Sequence, residues 1–149
     1  MGQAPTVTRR RGCHPPDAGK GAAVATFAFR FEPLYRAMAL PFGVTPGTAA
    51  VEVDDRHLRV RFGLWRVETE LPNVAGTERT GPYLVPKTIG PPHLSLTDRG
   101  MTCATNRRRG LCIRFRQPVR GIDPTGTLLH PGITVTVADL DGLEAALAR

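Results

Sequence analysis

One serine, Ser95, one tryptophan, Trp65, and three cysteines, Cys13, Cys103 and Cys112, occur in 149 residues. No stretch approaches the roughly 18 consecutive apolar residues of a membrane-spanning helix, so none is expected. The histidines, His14, His57, His93 and His130, are scattered, without a Cys-x-x-Cys or His-x-x-x-His pair. A structural metal site built on paired ligands is therefore not expected. Walker, Gly-x-Gly-x-x-Gly and Gly-x-Ser-x-Gly patterns are absent, and no cofactor is expected. Ser95 falls inside a predicted strand, not on the exposed tight turn that a serine nucleophile needs. Lysine is nearly missing: Lys20 and Lys87 are two of the 20 basic residues, and the rest are arginine. The guanidinium fork suits phosphate and carboxylate. Codon bias in a GC-rich genome, which also raises glycine and proline, is the simpler source of the arginines.

Basic residues exceed the 13 acidic ones by seven. Part of this excess lies in residues 1–22, which hold Pro5, Pro15, Pro16 and the run Arg9-Arg10-Arg11 but almost no apolar side chains. Such a segment buries too little surface to offset the entropy of ordering, so a disordered basic tail is expected. No apolar stretch follows its basic residues before Ala22, so neither a Sec nor a twin-arginine signal is expected. With an odd number of cysteines, this points to a reducing cytoplasm and free thiols.

From residue 23 the hydrophobic period is mostly two, the sign of half-buried strands. Ala25, Phe27, Phe29 and Phe31 share one face of the first strand. Pro33 at a first helical position, followed by Leu34, Ala37, Met38 and Leu40, predicts a short helix that Pro41 and Gly43 end. A hairpin of 49–53 and 57–62 turns at Asp54-Asp55-Arg56, with Leu58, Val60 and Phe62 inward. Trp65, Val67, Thr69 and Leu71 form the next inward face, and 73–80 and 83–88 are weaker strand candidates. Strands at 93–97, 101–105, 111–116 and 133–137 continue, with the third and second of these read as a hairpin turning at 106–110. Residues 117–132 read as a loop. Asp139 caps a closing helix with Leu140, Leu143 and Leu147 inward and Asp141 and Glu144 exposed.

Alternation also assigns the thiols. Cys103 shares a face with Met101, whereas Cys112 lies opposite the apolar Leu111, Ile113 and Phe115, so the two should not form a disulfide. The fold class is mainly β (α+β): one domain over 23–149, a small antiparallel bent sheet or split barrel. A short helix follows the first strand and a C-terminal helix covers an open end.

The stretch from Val51 to Val67, Leu71-Pro-Asn-Val74, Leu94 to Gly100, Thr105-Asn106, Gly110 to Val119 and His130 to Asp139 resembles an actinobacterial family of uncharacterised proteins. The strand order with a terminal helix is similar to bacterial pleckstrin-homology-like domains. The resemblance implies a fold and no reaction.

Asp54 and Asp55 have the composition of a catalytic or metal pair, but at a turn Asp serves local hydrogen bonds. His130 falls in the predicted loop and could pair with Asp123; a solvated or capping role is the simpler one. Trp65 and Asn73-Val74 lie near a bend that could line a pocket, though core packing accounts for Trp65. The strongest functional signal is electrostatic. Residues 99–120 hold seven arginines and no acid, while 23–98 and 121–149 hold nine basic and twelve acidic residues. Arg107, Arg108 and Arg109 at the expected hairpin turn, with Arg114 and Arg116 behind them, are the candidate anion-binding residues. A solvated strand face is the plainer alternative.

Three functions follow in order. The first is a non-enzymatic binding module that meets an anionic membrane or an acidic or phosphorylated partner protein through the basic hairpin. The second, weaker because the segment lacks interleaved aromatics and Phe115 points inward, is nucleic-acid binding. The third is a small enzyme or carrier using the barrel interior, with His130 and Asp123 at its mouth.

Overall fold

A computed structural model describes residues 23–82, 92–94, 99–121 and 125–148. The expected tail at 1–22 with Cys13 and His14, the strand candidate at 83–88, and Ser95 and Asp123 lie outside the described residues.

Strands β1 (Ala25–Ala28), β2 (Ala49–Val53), β3 (His57–Phe62) and β4 (Trp65–Glu70) form an antiparallel meander in chain order. Leu58, Val60 and Phe62 are buried on one face of β3, and Arg59 and Arg61 stand on the other. At the β2–β3 turn one Asp54 carboxylate oxygen accepts from the backbone N–H groups of Arg56 and His57, each at 2.7 Å. Those donors, with Arg59 on the second oxygen at 2.8 Å, hold the Asp54 carboxyl below the ordinary carboxylate range. Asp54 is thus the turn's acceptor.

Between β1 and β2 lies α1 (Pro33–Ala39), extended by a 3-10 turn over Leu40–Phe42. Gly43, at φ 72°, ends it in the left-handed conformation and donates its N–H to the Leu40 carbonyl. The buried face is not that of the apolar residues that pointed to the helix. Tyr35 and Ala39 are inside, while Leu34 and Met38 face solvent. Both pairs are spaced i, i+4, so a two-turn helix with apolar residues on both faces does not announce which one the core takes.

The second sheet holds β5 (Val74–Thr80), β6 (His93–Leu94), β7 (Met101–Cys103), β8 (Gly110–Arg120) and β9 (Leu129–Val135), in the order β5-β8-β9-β7-β6. The expected β7–β8 hairpin does not form. Strand β9 lies between them, parallel to β7 and antiparallel to β8. The sheet is therefore mixed, and the expectation of a wholly antiparallel one is corrected. Six residues, 104–109, connect β7 to β8. They bridge roughly twice the 4.7–4.9 Å strand spacing, well within the reach of six residues at up to ~3.3–3.6 Å each.

The expected loop at 117–132 also shrinks. Strand β8 continues to Arg120, and β9 begins at Leu129, with Val119 opposite His130 and Arg120 opposite Leu129. Pro118 sits within the register shift between Arg114 and Val119, where a residue without an N–H disturbs the ladder least.

The two sheets share a core. The chain passes from β4 to β5 through a 3-10 turn at Leu71–Asn73, and at another corner Phe29 forms a bridge with Val137. Phe29 and Phe62 meet with ring centroids 5.2 Å apart. Val51, Leu58 and Val60 of one sheet and Leu111, Ile113 and Val135 of the other belong to one buried cluster. The fold is mainly β with two sheets and no closed barrel. Helix α2 (Leu140–Leu147) completes it. Asp139 caps it by accepting the Gly142 N–H at 2.8 Å, and Leu140, Leu143, Ala146 and Leu147 are buried, as the apolar stripe predicts. Glu144, expected free in solvent, is instead half-buried and engaged by Arg79 and Thr77. Among the described residues no helix is long and apolar enough to cross a membrane.

Both described thiols are free: Cys103 is buried and Cys112 lies on the opposite face of the sheet. Cys103 pairs with Val135 and Cys112 with Thr134, so a strand also separates them. Burial pushes the Cys103 thiol far above its ordinary value. A thiol reagent is expected to modify Cys112 in the native protein and Cys103 only on unfolding. Peptide mass mapping checks this, and a native Cys103–Cys112 disulfide would contradict the register.

Candidate anion-binding cleft

The connection between β7 and β8 crosses the end of β9 over a knot of buried polar residues, Thr105, Asn106 and Thr136. The Thr105 N–H donates to the Thr136 hydroxyl at 2.9 Å, and the Thr105 hydroxyl donates to the Arg30 carbonyl at 2.6 Å. Asn106 is the centre of the knot. Its amide nitrogen donates to the Arg30 carbonyl at 2.9 Å and to the Thr136 carbonyl at 3.4 Å. Its side-chain oxygen accepts from the backbone N–H groups of Arg108 and Arg109, at 3.0 and 3.4 Å. An Asn side chain that closes a local turn in this way sets the path of the residues after it. The knot is tied to β1 as well: the Arg30 N–H donates to the Thr136 carbonyl at 3.0 Å, and the Glu32 N–H to the Thr105 carbonyl at 2.9 Å.

Gly81 abuts the same loop. Its φ is +115°, and a Cβ there would stand 2.5 Å from the Arg108 carbonyl oxygen. Only glycine lets the end of β5 approach so closely. Arg108 and Arg109 are thereby brought beside Arg30, just past β1, and Arg79 of β5. These four arginines, Asn106 and residues 137–141 line a cleft of about 360 Å³.

The charges in the cleft are unequally satisfied. Arg79 hydrogen-bonds to Asp141 and, at 2.8 and 3.1 Å, to Glu144. The Arg79 guanidinium holds the Asp141 carboxyl below its ordinary range, and Arg109 adds a weaker pull. Arg108 lies 3.4 Å from the Glu32 carboxylate without a hydrogen bond to it. Arg30 and Arg109 have no ion-pair partner among the described residues. A carboxylate or phosphate entering the cleft would meet Arg30 and Arg109, neither in a close ion pair among the described residues, and Arg108 in a loose one, a donor set for charge-assisted hydrogen bonds that also faces the Asp139 and Asp141 carboxylates.

Of the five candidates read from the sequence, Arg108 and Arg109 line the cleft. The other three do not line it. Arg107 is 3.9 Å from Glu32, Arg114 hydrogen-bonds to Glu78, and Arg116 donates to the Pro72 carbonyl at 3.1 Å. The absence of acid within 99–120 is a local fact. Glu32 and Glu78 reach these arginines from distant segments. Arg30 and Arg79 escaped sequence reading, since an outward arginine on a strand carries no sign of what the next sheet places beside it.

His130 is not in a loop. It lies within β9, is buried, and its Nδ1 donates to the Arg99 carbonyl at 3.0 Å. Trp65 is half-buried against the core. Among the described residues no three His, Cys, Asp or Glu side chains gather as a metal site would need. Comparison of the chain with protein-family models, with curated proteins and with solved structures finds no match.

Proposed function

We propose that this protein is a non-enzymatic binding module that takes a phosphate or carboxylate group of a partner protein in the arginine cleft. The observation that carries the reading is the gathering of Arg30 and Arg109, neither in a close ion pair among the described residues, in a concave site of about 360 Å³. A cleft of that size accepts one phosphorylated or acidic side chain with its flanking backbone. The buried, hydrogen-bonded position of His130 speaks for binding rather than acid–base catalysis. The four-stranded meander, second sheet and C-terminal helix support a pleckstrin-homology-like reading, from which the parallel β7–β9 pair departs. The resemblance of segments between Val51 and Asp139 is the ground for proposing membership of the actinobacterial family, and the free thiols support a cytoplasmic setting.

Calorimetric titration with inorganic phosphate, and with a phosphoserine peptide, tests the function. The full chain is expected to bind both at low salt and to weaken as salt rises, because exposed charges are screened beyond ~8–10 Å at physiological ionic strength. Arg30→Ala/Arg109→Ala is expected to lose at least tenfold, and Arg114→Ala/Arg116→Ala to change little. A wild type that binds neither probe, or a cleft variant that binds as well as wild type, would overturn the reading. Single-stranded DNA run in parallel is expected to bind more weakly than the peptide.

A further inference from the structure

Five large apolar side chains of one end of the first sheet stand in solvent: Leu34 at 53%, Met38 at 49%, Leu40 at 61%, Phe42 at 38% and Leu64 at 83% exposed. Four of them belong to one continuous helical segment, α1 and the 3-10 turn that extends it. Leu34 and Met38 share a face of α1, and Leu40 and Phe42 follow in the 3-10 turn. Leu64 sits at the β3–β4 tip, where a Cβ on Gly63 would lie 2.9 Å from the Phe42 carbonyl and one on Gly43 would lie 3.9 Å from Leu64 Cγ. The tip therefore lies against the 3-10 turn, and together with α1 it forms an exposed apolar ridge at this end of the sheet.

We propose that this ridge docks into the interfacial region of an anionic lipid bilayer. The proposal is independent of the cleft, which lies beside the opposite, amino-terminal end of α1. Charge supports it first. Residues 33–48 and 63–66 contain no acid, and their two arginines, Arg36 and Arg66, are exposed without an ion-pair partner among the described residues. Leucine, methionine and phenylalanine flanked by arginine is the composition of a surface that enters the acyl boundary while its cations stay at the headgroups. Size supports it second. Side chains at these exposures present a few hundred Å², the scale of the largest patch on a typical monomer (~300–600 Å²). That is short of the ~800 Å² each partner contributes to a stable protein interface. A bilayer needs no matching surface, because each apolar group that enters hydrocarbon is favourable by itself.

Trp65, the only tryptophan in the chain and the residue next to Leu64, reports on insertion. The full chain is mixed with vesicles of phosphatidylcholine and phosphatidylserine at roughly 7:3, and with pure phosphatidylcholine vesicles, near physiological salt. Sedimentation with the anionic vesicles and a blue-shifted Trp65 emission are expected, with pure phosphatidylcholine at least tenfold weaker. Leu40→Asp/Leu64→Asp is expected to bind at least tenfold less with an unchanged melting temperature, both sites being exposed. Arg36→Ala/Arg66→Ala is expected to weaken binding to the anionic vesicles severalfold. Arg30→Ala/Arg109→Ala is expected to bind vesicles as wild type does while losing phosphate, so that the ridge and the cleft fail separately. The proposal is overturned if the wild type does not sediment with the anionic vesicles, if Leu40→Asp/Leu64→Asp sediments equally well, or if the cleft variant alone abolishes binding. It is also overturned if wild type is a dimer that Leu40→Asp/Leu64→Asp converts to monomer, since a second copy then covers the ridge.

Discussion

Ending the chain after Val137 is expected to leave it unfolded at ambient temperature. The lost segment includes Leu140, Leu143 and Leu147, all buried against the sheets. A fully buried leucine contributes about 1.5–3 kcal/mol. Three together are comparable with the ~5–15 kcal/mol net stability of a whole domain. The cut also strips the partners of Arg79, since Asp141 and Glu144 leave with the helix. Circular dichroism melting of the truncated protein checks this, and an unchanged transition would mean that α2 does not complete the core. Leu143→Ala gives a graded version. Leu143 is completely buried, and such a truncation costs about 2–5 kcal/mol depending on how far the cavity collapses.

Asn106→Ala is expected to damage stability and binding together. The side chain is 2% exposed and makes hydrogen bonds to Arg30, Thr136, Arg108 and Arg109. Each such bond is worth ~0.5–1.5 kcal/mol net, and a buried group left unpaired costs ~1–3 kcal/mol. The Arg30 carbonyl keeps the Thr105 hydroxyl, which limits the loss there. A destabilisation of about 2–4 kcal/mol is therefore expected in urea denaturation. Because Asn106 anchors the backbone that presents Arg108 and Arg109, phosphate binding is expected to fall at least tenfold even at temperatures where the variant stays folded. A variant that keeps wild-type stability would show that the knot is held by Thr105 and Thr136 alone. One that loses stability but binds normally would show that the arginines do not need the turn.

Much of the local structure was legible from residue order because its causes are local. Strand β3 spans the expected 57–62, with the expected face inward, since side-chain alternation is a property of one strand. Asp54 at its turn and Asp139 at the start of α2 make the hydrogen bonds that their short acidic side chains suit. The opposite faces of Cys103 and Cys112 follow from the same alternation. Two apolar i, i+4 pairs on α1 left its buried face open, and burial of Tyr35 and Ala39 depends on which side the sheets present.

The amino-acid order by itself determined the strands at 49–53, 57–62 and 111–116 with their apolar faces, the turn at Asp54 and the helix cap at Asp139. Periodicity and capping act over a few residues and need no distant partner. Only the tertiary structure decided that β9 separates β7 from β8, that Glu32 and Glu78 meet the arginines of 99–120, and that Arg30 and Arg79 join Arg108 and Arg109 around one cleft. Those outcomes depend on which strand takes which neighbour. That choice is made by burying both sheets' apolar faces in one core while pairing every buried backbone group, a condition on the whole chain that no short window of sequence contains.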